Sequence, residues 1–172
     1  MNSLSPIYSK GAIEFATVAK EYINFMESAK TLSTEQFIST SIKILPLLYL
    51  KGTLLPEVND FDDEYTEKFV DESSWSYIQQ VSASKLGDDD DYIQINDAGI
   101  VNTDDYLNVG LSELFADLFQ ETGDLIGAYK TENDEIIVAS LYYCKHNFET
   151  YWGIRALSLL KRLHEIYYKS EK

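Results

Sequence analysis

Cysteine occurs once in these 172 residues, at Cys144, so no disulfide can close within the chain and a reducing compartment is expected. Proline occurs three times and glycine eight times, few enough to leave room for long helices. No stretch reaches the roughly 18 unbroken apolar residues that span a bilayer. The opening "MNSLSPIYSKGAIEFATVAKEY" lacks a basic segment followed by an apolar run, so no secretory signal is visible. A cytoplasmic protein without membrane association is therefore expected. Also missing are a glycine-rich phosphate loop, a nucleophile elbow, an HExxH pair and a CxxC pair. Their absence points away from catalysis, and the residues identify no catalytic group and call for no cofactor.

Positive charge is scarce as well. Fourteen Lys and Arg face 29 Asp and Glu, a net charge of −15. The imbalance is regional: residues 57–105 carry fifteen acids against Lys68 and Lys85, whereas residues 1–56 sum to +1 and residues 145–172 to +3. A sequence-independent nucleic-acid binder needs Lys and Arg to displace counterions from phosphates, so nucleic acid is excluded as a partner. An anionic membrane would be repelled for the same reason. A basic protein is the partner that this charge suits. Oligomeric state is left open.

What the chain does contain is apolar periodicity. In "SKGAIEFATVAKEYINFMESAK" apolar residues recur at three- and four-residue steps, which predicts a helix with a broad buried face. "STEQFISTSIKILPLLYLKGTLLPE" predicts a second helix, capped at Ser33 or Thr34 with Gln36 at capping-box spacing from Ser33. Pro46 removes a backbone donor inside it, so a kink or break is expected there. A short helix capped by Asp71 should follow, burying Trp75, Ile78 and Val81 and ending at Gly87. "NVGLSELFADLFQETGDLIGAYK" is the cleanest amphipathic helix, and "NDEIIVASLYYCKHNFETYW" is another, capped at Asn133 or Asp134. "GIRALSLLKRLHEIYYKSEK" either continues that helix through Gly153 or starts anew there. Acidic connectors are expected over residues 57–71 and 88–105, the latter read as a loop with at most a brief extended stretch. Together these elements predict one all-α domain over residues 1–172, a bundle of five to six helices.

Both histidines, the cysteine and one of the two tryptophans crowd into "YYCKHNFETYWGIRALSLLKRLH". Residues two apart on a helix point about 200° apart, so Cys144 and His146 cannot cooperate. Cys144 instead lines up with Leu141, Phe148 and Trp152 in a core-facing stripe, where a thiol behaves as a small apolar group. His146 and Glu149 are close enough in sequence to touch. On a continuous helix His164 lies roughly 27 Å from His146, too far to share a metal.

Glu113, Asp117, Glu121 and Asp124 follow one another at steps of four, four and three, which aligns four carboxylates on one helix face. With His146 and Glu149 they are the candidate ligands for magnesium or calcium. A divalent-metal-dependent enzyme, or a metal-binding protein using helix-borne carboxylates, is thus the alternative to a binding module. Such sites set acidic pairs on facing helices, and no second stripe of equal quality is present, so a solvated face is the expectation. "DFDDEY" spaces Asp60, Asp62 and Glu64 as a calcium loop would, but Tyr65 stands where the sharp turn needs glycine. "DDDD" at Asp88–Asp91 reads as a solvated loop.

"SPIYSKGAIEFATVAKEYINFME", "ILPLLYLKGTLLP" and "CKHNFETYWGIRALSLLKRLHEIYY" resemble a family of small bacterial proteins known only as a domain of unknown function. The most specific pieces are "LPLLYLK" around Pro46 and the stretch from Asn147 to His164. The resemblance implies an all-helical fold and brings no activity, substrate or catalytic residue. The resulting expectation is a non-catalytic binding or regulatory helical module that recognises a basic partner.

Overall fold

The computed structural model describes residues 5–95 and 107–169. Six α-helices account for most of them: α1 (Lys10–Ser28), α2 (Thr34–Gly52), α3 (Glu72–Leu86), α4 (Leu111–Lys130), α5 (Asp134–Asn147) and α6 (Gly153–Lys169). Helix α4 is the axis of the bundle, with α1, α3, α5 and α6 packed around it, while α2 lies against α1 and α6. The fold is therefore the expected all-α one, with a single small exception.

That exception is a two-stranded hairpin. Tyr92–Ile95 (β1) pairs antiparallel with Leu107–Gly110 (β2), Ile93 facing Val109 and Gln94 facing Asn108. The brief extended stretch allowed for in the connector over residues 88–105 is thus a paired strand, and the connector's part from residue 96 onward lies outside the described residues. The hairpin forms because Ile95 and Val109 find buried positions in the core, so pairing and burial together stabilise strands of only four residues. Asn108 and Val109, read in the sequence as the head of the next helix, belong to β2.

The helix ends follow the capping chemistry of the sequence. Gln36 N–H donates to Ser33 Oγ at 3.1 Å while Gln36 Oε1 accepts from Ser33 N–H at 3.0 Å, a complete capping box. Ser74 N–H donates to Asp71 at 2.7 Å, and Gly87, at φ +56°, ends α3 in a left-handed conformation. Glu135 N–H donates to Asn133 at 3.0 Å. Within the "DDDD" run Asp88 and Asp89 are exposed as expected, whereas Asp90 accepts from Ser112 N–H at 2.8 Å and from its hydroxyl at 2.8 Å, placing an anion at the N-terminus of α4. Asp91 pairs with Arg162 of α6.

Two expectations about helix continuity are settled. Helix α2 runs from Thr34 to Gly52 through Pro46 without a break; Pro46 lies on its exposed face, where water can meet the carbonyl that the missing N–H leaves unpaired. From Asp134 to Lys169 the helical backbone is also unbroken, with one wide π turn at Phe148–Trp152 joining α5 to α6. Trp152 is fully buried, and its indole N–H donates to the Cys144 carbonyl at 3.0 Å across that turn. Its ring packs on Phe15 and Phe148 at centroid distances of 5.8 and 4.7 Å. A second aromatic run, Phe25–Phe37–Phe115, ties α1, α2 and α4 together. The buried Tyr22 hydroxyl is satisfied, donating to the Phe115 carbonyl at 2.9 Å.

Trp152→Ala should cost about 3–5 kcal/mol in chemical denaturation, the loss of a large ring plus the cavity it leaves. A loss under about 1 kcal/mol would mean that the π turn can repack around the void.

Candidate functional site

The four aligned carboxylates of α4 do not face water. The leucine face of α4 packs on α1 and the aromatic core, and the opposite face is covered by α3, by the connector before it and by α5 and α6. Being surrounded, the stripe becomes an interior seam, which corrects the expected solvated face. Glu113 reaches back to accept from Gly110 N–H at 3.3 Å. Asp117 accepts from the Trp75 indole N–H at 3.1 Å and pairs with the Arg155 guanidinium at 3.4 Å. That guanidinium lies 4.1 Å from the centroid of the Tyr151 ring. Glu121 accepts from the Asn147 amide at 3.0 Å. Burial pushes the carboxyls of Asp117 and Glu121 above the ordinary carboxylate range, against these donors, which pull them down.

Asp124 has the fullest set of partners. One oxygen accepts the backbone N–H groups of Phe69 and Val70 at 2.8 and 3.0 Å, and the other lies 3.1 Å from the Lys68 ammonium. The connector can approach this closely because α4 presents Gly123 and Gly127 beneath it. A Cβ on Gly123 would stand 2.5 Å from Val70 Cγ2, and one on Gly127 would stand 2.3 Å from Phe69 Cγ. Beside Asp124, Glu121, Ser140 and Asn147 help to line a cavity of about 20 Å³, room for one water-sized group.

His146 is exposed, its ring lying parallel to Tyr142 at a centroid distance of 6.0 Å. Glu149 is exposed too and pairs with Lys145 at 3.8 Å. The unbroken helical run keeps His164 about five turns from His146. Of the six candidate metal ligands, the structure thus gives each its own neighbours rather than a shared centre. Among the described residues no group of three or more His, Cys, Asp or Glu side chains is arranged to hold a metal ion. Cys144 is buried in its stripe, and burial raises its thiol well above the ordinary range, as a structural cysteine requires.

A second acidic feature escaped sequence reasoning. The connector residues Asp60, Asp62 and Asp63 face Asp134 and Glu135, at the start of α5, across a shallow cleft of about 780 Å³ with Phe61 in its wall. None of the residues lining it is a Lys or an Arg. Its walls are held by tyrosine hydroxyls. Tyr143 donates to Asp63 at 2.6 Å, Tyr8 donates to Asp134 at 2.7 Å, and Tyr65 bonds to Glu135. Each of these bonds raises the tyrosine's own pKa. Phe61 stacks on Tyr142 at 3.9 Å between centroids. The two walls lie some seventy residues apart in sequence. The signal was therefore only the acidic character of each, and Asp134 was read purely as a cap.

A helical bundle with an acidic cleft, and no group of His, Cys, Asp or Glu arranged to hold a metal among the described residues, defines a class of fold, not a reaction. Residues 6–169 match the family described as Domain of unknown function (DUF5063), and the chain belongs to it. It is also similar to a solved structure, the crystal structure of protein BF1032 from Bacteroides fragilis, determined by the Northeast Structural Genomics Consortium. The two chains are 34% identical, the match covers 94% of each, and the TM-score is 0.82. No curated protein matches. Among the described residues, no helix is long and apolar enough to cross a membrane.

Because burial raises the Glu121 carboxyl, the native state takes up a proton there at a higher pH than the unfolded chain does. The native state is therefore stabilised as pH falls through the window between the ordinary and the raised value, and it bears the cost of a buried charge above that window. Glu121→Gln removes that cost. Its stability relative to wild type should be greatest near neutral pH and decline toward about pH 4 in paired denaturation curves. A difference independent of pH would show that Glu121 titrates as an ordinary surface acid.

Proposed function

We propose that this chain is a non-catalytic binding or regulatory module whose acidic cleft takes a basic segment of a partner protein. The observation that carries this reading is the cleft between the connector and α5. Five carboxylates line it with no cation among them, and Phe61 and Val138 supply an apolar wall. Such a surface suits a Lys or Arg side chain, whose charged head meets carboxylate while its methylene stem lies on apolar atoms. The net charge of −15 would speed encounter with a basic partner and make it sensitive to salt. A bacterial cytoplasmic setting is part of the proposal. The Bacteroides relative and the single, buried, unpaired cysteine support it.

The competing reading, a divalent cation held on the α4 carboxylates, has less support. Glu113, Asp117, Glu121 and Asp124 already accept from Gly110, Trp75, Asn147 and the Phe69–Val70 backbone. A cation would have to displace those donors.

The test is fluorescence anisotropy of a labelled oligo-lysine peptide with the full chain. Binding should weaken at least about tenfold from low to high salt, and by a comparable factor in the double variant Asp134→Asn, Glu135→Gln. Glu21→Gln, on the exposed side of α1, should change it little. Equal affinity for the double variant and the wild type would remove the cleft as the binding site. A rise in melting temperature with magnesium or calcium, beyond that of matched ionic strength, would favour the competing reading.

A further inference from the structure

Two polar groups deep in the protein are left over once the seam along α4 is accounted for. Asp124 is 7% exposed, and its Oδ1 takes both backbone N–H groups of Phe69 and Val70. Its Oδ2 lies 3.1 Å from the Lys68 ammonium but receives no hydrogen bond among the described residues. Ser140, on α5, is 9% exposed, and among the described residues its hydroxyl makes no hydrogen bond. Buried hydroxyls elsewhere behave differently: Ser41 and Thr122 each donate to the carbonyl four residues back, both at 2.7 Å. Buried polar atoms of native proteins nearly always have a partner, so these two groups call for one.

Both border the same space. The cavity of about 20 Å³ is lined by Glu121 and Asp124 of α4, by Ser140 and Asn147 of α5, and by Thr66, Glu67 and Lys68 of the connector. Phe69 and Val70, the partners of Oδ1, are not part of its wall, whereas Lys68, the neighbour of Oδ2, is. Asp124 therefore turns Oδ2 toward the cavity. The exposed members of the lining are Thr66, Glu67 and Lys68, so the connector is its outer wall.

Size and chemistry decide what belongs there. A volume of about 20 Å³ admits one water-sized guest and excludes a larger ligand. Lys68 already supplies positive charge beside Oδ2, and a metal or ammonium ion set against the same oxygen would be repelled by it. A neutral guest meets no such repulsion. The wall is rich in acceptors: Asp124 Oδ2, the Glu121 oxygen left after the other accepts from Asn147, and the Asn147 carbonyl oxygen. The guest must donate to these and also accept from the Ser140 hydroxyl, which water does with its two donors and two lone pairs. We propose that this cavity is the site of one permanently bound water, which bridges Asp124, Glu121 and Ser140 and so joins α4 to α5 beneath the connector. Its exchange with solvent follows the lifting of the connector, whose upstream residues form one wall of the acidic cleft. The inference does not rest on what that cleft binds.

A crystal structure of the full chain at atomic resolution tests this directly. It should show one fully occupied oxygen peak within hydrogen-bond distance of both Asp124 Oδ2 and Ser140 Oγ. In solution, oxygen-17 magnetic relaxation dispersion should count one long-lived water fewer in Ser140→Val, whose side chain fills the space and cannot donate. Thr17→Val, the same kind of change on the exposed side of α1, should leave the count unaltered. Ser140→Ala is the milder variant: it keeps the space, removes one partner, and should shorten the residence time of that water severalfold. A crystal with no peak in the cavity overturns the proposal. So does an anomalous peak there in crystals grown from rubidium chloride, which would make the guest a cation. A folded Ser140→Val with the wild-type water count, or an unchanged residence time in Ser140→Ala, overturns it as well.

Discussion

The Asp124 carboxylate holding the Phe69 and Val70 amides is the contact on which most of this architecture depends. The connector between α2 and α3 is long, acidic and poor in regular structure, so it has little intrinsic reason to lie anywhere in particular. One buried carboxylate, two backbone donors and the flat bed made by Gly123 and Gly127 give it one position. A charge buried this deeply is tolerable because it is hydrogen-bonded on one oxygen and faces an ammonium on the other. Once the connector is laid across α4, α3 begins against α4, and Asp117 meets the Trp75 indole from that helix. The segment upstream of Lys68 is then brought against α5, where Tyr143 and Glu135 receive it.

The acidity of the chain thus divides into two kinds. Interior acids (Asp117, Glu121, Asp124) are each matched to particular donors and serve to join helices across a seam. Of the peripheral acids at Asp60, Asp62, Asp63, Asp134 and Glu135, three (Asp63, Asp134 and Glu135) are held from behind by tyrosines and Asp62 by the Glu64 N–H, and all five line the open cleft. The second kind is available to a partner and the first is not. This division moves the functional reading away from the conspicuous α4 stripe and toward the cleft.

Much of the fold was legible in the sequence. Ser33 with Gln36, Asp71, Gly87 and Asn133 marked helix ends because capping is a matter of three or four residues. The stripe of Cys144 with Leu141 and Trp152 was legible for the same reason, since phase along one helix decides it. The hairpin was not, because β1 is four residues long and its partner was hidden in the first letters of a strong helix pattern. The α4 seam was misread because amphipathicity assumes one wet face, whereas a central helix has none. The cleft could not be found at all, since only the folded connector brings Asp63 near Asp134. Family membership adds a shared fold and no chemistry, which leaves the site to be argued from these contacts.

Amide hydrogen exchange on Asp124→Ala, read together with its unfolding free energy, tests the account most directly. If Asp124 seats the connector, the Phe69 and Val70 amides should lose their protection selectively, while those of α1 and α4 keep theirs. Stability should fall by about 3 kcal/mol, the value expected for two charge-assisted bonds and a stranded pair of buried donors. Retained protection at Phe69 and Val70, with a loss under about 1 kcal/mol, would show that the connector is held by Phe69 packing alone and that the carboxylate is incidental.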